Sequence, residues 1–102
     1  MRPMAYVIKI EWLGGSDGPH EHSRHTGRYV RRYDPDAHNG LGEVWTAAEP
    51  VDALQFATGV AAAEFYRQAS KVKPVRGDGR PNRPLTAFTV SVYDWEKVSG
   101  ER

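Results

Sequence analysis

The sequence predicts an α+β fold: one small domain over residues 1–102, with a four-stranded antiparallel or mixed sheet in the order βββαβ and one main helix packed on one face. Three observations carry this prediction. In residues 5–12, Tyr6, Ile8, Ile10 and Trp12 fall on one side and Lys9 and Glu11 on the other, the period-two pattern of a half-buried strand. Residues 85–95 alternate again, with Phe88, Val90 and Val92 facing one way and Thr89, Ser91, Tyr93 and Trp95 the other. Between these two strands, Ala61, Ala62, Phe65, Ala69 and Val72 recur at helical spacing over about residues 59–71. A chain of 102 residues, 39% hydrophobic, with three Trp, five Tyr and three Phe, has apolar material for one modest core and little room for a second.

The first strand is stopped by Gly14-Gly15-Ser16-Asp17-Gly18-Pro19, and a polar loop then covers about 13–27. Residues 28–33 read as the second strand, with Tyr29, Arg31 and Tyr33 on one side, and residues 43–47 as the third. Turn formers crowd the 34–42 segment between them, which predicts a long-looped hairpin. Proline is tolerated at a first helical position, so Pro50 is expected to open a helical turn over 50–56 that drops Leu54 and Phe56 into the core. Thr58 is the expected N-cap of the main helix. Lys71 and Lys73 suit its negative end, and Pro74 terminates it. Residues 74–84 hold three prolines and two glycines and read as a long exposed loop. The tail from Glu96 is expected to fray.

The net charge of +1 conceals strong segregation. Residues 1–33 hold six basic and three acidic side chains, residues 34–66 none and six, and residues 67–102 eight and four. The total disfavours both a uniformly basic nucleic-acid binder and an acidic DNA mimic. Arg24, Arg28, Arg31 and Arg32 could still merge in space with Lys71, Lys73, Arg76, Arg80 and Arg83 into one patch. With no cysteine, disulfides, Cys-ligated zinc, iron-sulfur clusters and thiol nucleophiles are excluded, and a cytoplasmic setting is expected. Met1-Arg2-Pro3-Met4 leads into strand-like sequence, and apolar runs are short, so neither export nor membrane association is expected.

Candidate chemistry is sparse. His20, His22 and His25 offer imidazole ligands within six residues, but His-x-His-x-x-His in a loop lacks the helical spacing that presents two ligands on one face, and Arg24 repels a cation. No metal or other cofactor is expected. Ser16, Ser23, Ser70, Ser91 and Ser99 lack the local signature of an activated hydroxyl, and Asp34 and Asp36 flank a proline in a turn, so no enzymatic activity is expected. Arg76-Gly77-Asp78 matches an adhesion tripeptide, yet Gly77-Asp78-Gly79 is more simply a turn.

One helix covers one face of a sheet. The other face is expected to show Tyr29, Tyr33, Tyr93 and Trp95 beside Arg31, a large aromatic surface for so small a chain. Aromatic and arginine side chains together suit a protein hot spot, and they also suit stacking on unpaired bases.

The run Val44-Trp45-Thr46, followed by Pro50, Ala53, Phe56, Ala57 and then Ala62 and Ala63, resembles a pattern in short accessory proteins of actinobacterial and proteobacterial phages and mobile elements. The resemblance implies the class of small proteins that includes inhibitors of bacterial defence, anti-CRISPR proteins among them, which occlude a surface of a larger nucleoprotein complex. It carries no residue roles. The expected function is therefore a non-enzymatic interaction module, acting in the host cytoplasm if phage-encoded. Its expected partner is a host protein or nucleoprotein complex, bound through Tyr29, Arg31, Arg32, Tyr33, Tyr93 and Trp95 on the sheet and Arg80 and Arg83 on a basic loop. The alternative is a small nucleic-acid-binding protein using the basic loops and sheet aromatics, and a homodimer would bury the same aromatic face.

Overall fold

The computed structural model describes residues 5–14 and 21–95. Strands β1 (Tyr6–Leu13), β2 (Tyr29–Asp34), β3 (Glu43–Ala47) and β4 (Phe88–Asp94) form one antiparallel sheet in the spatial order β3-β2-β1-β4. The main helix, Gly59–Tyr66, lies on one face, and a 3-10 turn, Pro84–Ala87, joins it there. This is the α+β arrangement the periodicities predict. Among the described residues no helix is long and apolar enough to cross a membrane.

The core forms where alternate strand residues meet this cover. Ile8 and Ile10 of β1, Val30 of β2 and Val44 of β3 bury against Ala62 of the helix and Leu85 of the 3-10 turn. Phe65 closes the layer, its ring 5.1 Å from Phe56 and 5.7 Å from Tyr33. Two one-residue bulges decide which further side chains reach this core. In β1, Ile10 faces Val90 but Trp12 faces Thr89, so Glu11 is the extra residue and Trp12 leaves the face of Ile8 and Ile10. In β2, Val30 faces Thr46 but Arg32 faces Trp45, so Arg31 is the extra residue. Tyr29 and Arg32 consequently share the uncovered face, while Tyr33 turns with Val44 toward the helix. The expected row of Tyr29, Arg31 and Tyr33 on one side is corrected by this bulge.

A bulge also bends its strand, and β2 pairs with β1 only around Lys9 and Tyr29. The 54–56 segment runs between the two strands beyond that point. Leu54 N donates to Val30 O at 3.0 Å, and Phe56 and Tyr6 exchange two backbone hydrogen bonds at 2.8 Å. The helical turn expected over 50–56 is thus confined to a 3-10 turn at Pro50–Asp52.

Thr58 caps the main helix as expected, its Oγ1 accepting from Ala61 N. The helix stops at Tyr66, five residues before the predicted end: Arg67 N and Gln68 N still donate back to Ala63 O and Phe65 O, and from residue 70 the donors are held from outside. Ser70 N donates to Asn82 O, and Lys71 N and Val72 N donate to the Asp36 carboxylate. Leu85, read as the start of the last strand, instead sits in the 3-10 turn opened by Pro84 and donates its N–H to Tyr33 Oη. The 34–42 segment does join β2 to β3 as a long-looped hairpin. It is tightly wound: His38 and Asn39 are left-handed, and a Cβ on Gly40, itself at φ +91°, would lie 2.5 Å from Lys73 Cβ.

Candidate functional site

The uncovered face is a layer of cations laid on rings. Lys9 of β1 lies between Tyr29 of β2 and Tyr93 of β4, with its Nζ 5.9 Å from each ring centroid. Tyr93 Oη donates to Glu11 Oε2 at 3.1 Å, which holds the ring in place. On the neighbouring strand pair, the Arg32 guanidinium lies 4.6 Å from the Trp45 ring centroid. Cross-strand register produces both clusters, since Val7 faces Tyr93, Lys9 faces both Tyr29 and Ser91, and Arg32 faces Trp45. The face is less open than its composition suggests. Val7 is fully buried and Tyr29 is only 9% exposed, whereas Tyr93, Lys9 and Trp45 are half-buried and Arg31 and Arg32 exposed.

A second feature joins three loops that the sequence leaves separate. Asp36 Oδ1 accepts from Ser70 Oγ, Lys71 N and Val72 N, and the two backbone donors, with the hydroxyl and the Lys71 charge, hold its carboxyl below the ordinary aspartate range. The buried Asn82 amide donates to Gly40 O at 2.7 Å and to Lys73 O at 2.8 Å, and Asn82 N donates to Pro74 O. From this knot projects a short hairpin. Val75 pairs with Pro81, Arg76 N donates to Arg80 O, and Gly79, at φ +87°, closes the turn on Arg76 O. The 74–84 loop is therefore an ordered arm, and Gly77-Asp78-Gly79 is its turn. The Arg76 and Asp78 side chains pair across the tip at 3.0 Å.

A cleft of about 360 Å³ opens beside the 3-10 turn, lined by Leu13, Leu41, Pro84 and Phe88 and by His25 and His38. His38 is paired with Glu43 at 2.9 Å. His25 Nδ1 lies 2.8 Å from Thr46 Oγ1, which also accepts from Arg28 Nε, and burial with the charges of Arg24 and Arg28 lowers the His25 pKa. The ring is accordingly neutral at pH 7. His22 is exposed and His20 lies outside the described residues. Among the described residues no group of three His, Cys, Asp or Glu side chains is placed to hold a metal ion.

Of the residues the sequence nominates, Tyr29, Arg32 and Tyr93 come together on the uncovered face, with Arg31 exposed at the bulge. Tyr33 does not join them. It is a core residue whose hydroxyl donates to Gln68 O and accepts from Leu85 N, and burial, the largest cause, pushes its pKa up to about 12. Trp95 is half-buried, with its indole N–H enclosed and without a hydrogen-bond partner. Arg80 and Arg83 belong to the arm and its base. Lys9, Glu11 and Trp45 were not singled out from sequence, although Lys9 and Glu11 sit on the polar side of the first strand's alternation. Their partners are set by register, which leaves no local mark. Compared with known protein families, curated proteins and solved structures, the chain matches none.

Proposed function

We propose that the protein is a non-enzymatic interaction module that docks its uncovered sheet face onto a host protein or nucleoprotein complex, in the manner of a small phage-encoded inhibitor of host defence. The observation that carries this reading is the layer of Lys9 between Tyr29 and Tyr93 with Arg32 on Trp45, on a face that neither the main helix nor the 3-10 turn covers. Tyr, Trp and Arg are the side chains that concentrate binding energy at interfaces, Tyr and Trp because they present large, stiff surfaces at little conformational cost and Arg through its planar, multiply donating guanidinium. Here the cations also hold the rings in position before any partner arrives, which reduces the ordering cost of association.

Affinity capture from bacterial lysate tests the reading when run with matched variants. A partner retained by the unaltered chain should also be retained by Val60→Ala, at an exposed helix position, and be lost with Tyr93→Ala and with Arg32→Ala. Measured on the purified partner, each face variant should weaken binding about 30-fold, corresponding to about 2 kcal/mol for a central anchor. Equal retention by all four proteins would refute docking through this face.

A further inference from the structure

We infer that the 74–81 arm and its base form a preorganised cationic ribbon that binds the phosphodiester backbone of nucleic acid. This surface is distinct from the sheet face and does not depend on that reading. Every residue from 71 to 81 is exposed, so the arm returns almost no apolar burial for the entropy lost in ordering it. It is nevertheless hydrogen-bonded along its length and clamped at its root by Asn82, Ser70 and Asp36. An element ordered in advance loses less entropy when it binds a ligand.

The ligand's chemistry follows from the side chains. Lys71, Lys73, Arg76, Arg80 and Arg83 stand with Asp36, whose Oδ1 is taken up at the root by Ser70 and the backbone of Lys71 and Val72, and with one carboxylate of the arm itself, Asp78. That carboxylate is engaged within the tip, by the Arg76 side chain and by Arg80 N at 3.0 Å. Lys71, Lys73, Arg80 and Arg83 are exposed and form no ion pair among the described residues. No aromatic side chain lies between Lys71 and Arg83, so the arm lacks the ring anchors of a protein hot spot; Arg80 stands on the narrow hairpin and Lys71, Lys73 and Arg83 at its base. Repeated anionic charge is what that pattern complements, and a ribbon of two strands fits the major groove of a duplex.

The test is fluorescence anisotropy of the intact chain with a labelled 20-base-pair DNA duplex and with one of its single strands, at salt concentrations from 50 to 200 mM. With four phosphate contacts the log–log slope on duplex should be about −3.6, an affinity loss of about 150-fold across that range. Replacing Lys71, Lys73, Arg80 or Arg83 by Ala should make the slope shallower by about 0.9 each, with circular dichroism unchanged because all four are exposed. Asn82→Ala keeps every arm charge, so it should weaken binding several-fold at an unchanged slope; if that variant fails to fold, Arg80→Gln with Arg83→Gln, which removes two charges, should instead make the slope shallower by about 1.8. Preference for duplex would assign the ribbon to a groove, and preference for the single strand to an unpaired backbone. No binding at 50 mM salt, a slope indifferent to all four substitutions, or equal competition by polyglutamate would overturn the inference.

Discussion

The helix-covered face and the uncovered face are built from alternate residues of the same four strands, yet they are held by different forces. On the covered face Ile8, Ile10, Val30 and Val44 lose their water to Ala62, Phe65 and Leu85, and the stabilisation scales with apolar area. On the uncovered face Lys9, Arg32 and their ring partners remain in partial contact with solvent, where each cation–ring contact contributes about 0.5–1 kcal/mol. The helix-covered face therefore carries most of the fold, with Val7, Tyr29 and Ala47 the buried members of the other. The other holds its side chains in place weakly enough that a partner can compete for them.

Adjacent residues of β1 make the sharpest contrast. Ile8→Ala should cost about 3–4 kcal/mol by leaving a cavity in the core, whereas Lys9→Ala, which loses two cation–ring contacts, should cost about 1–2 kcal/mol, both read from urea denaturation. Similar losses for the two would mean that the faces share one core. Next in size, Asn82→Ala should cost roughly 2 kcal/mol, since Gly40 O and Lys73 O lose their buried donor. Hydrogen exchange should then show the arm opening while the sheet stays protected, which would establish the polar knot as a third, separate source of order.

Asp36 makes that knot sensitive to acid. Its carboxyl is depressed in the folded chain by the backbone N–H groups of Lys71 and Val72, so the unfolded chain takes up its proton at the higher pH. The stability Asp36 contributes is fully present above about pH 3.9 and is lost as the pH falls through the lower native value. Thermal melts of Asp36→Asn should be lower than those of the unaltered chain at neutral pH and should approach them in acid. The smallest effect belongs to Tyr93→Phe, which removes only the hydroxyl bond to Glu11. It should change stability by less than about 1 kcal/mol in thermal melts while Tyr93→Ala weakens partner binding. If Tyr93→Ala instead unfolds the chain as readily as Ile8→Ala, the second face is also structural.

Fold class, the strands and the Thr58 cap were legible in the sequence because period two, period 3.6 and capping chemistry are written within a few residues of each other. That local reading extends to the alternation of β4 and to the turn at Gly77-Asp78-Gly79. It does not extend across a bulge. Arg31 and Glu11 resemble any other strand residue, and only pairing with β3 and β4 shows that each is the extra one, which moves Tyr33 into the core and Trp12 out of its predicted face. Nor can it foresee that Asp36, Ser70 and Asn82 meet, or that their hydrogen bonds take the backbone of residues 70–73 out of any helical continuation and hold the root of the arm. Helix propensity over 67–71 amounts to tenths of a kcal/mol per residue, a weak local preference that tertiary hydrogen bonds readily override. The amino-acid sequence by itself determined which segments alternate and which coil. Tertiary structure decided which side chains share a face, because that choice depends on partners tens of residues away.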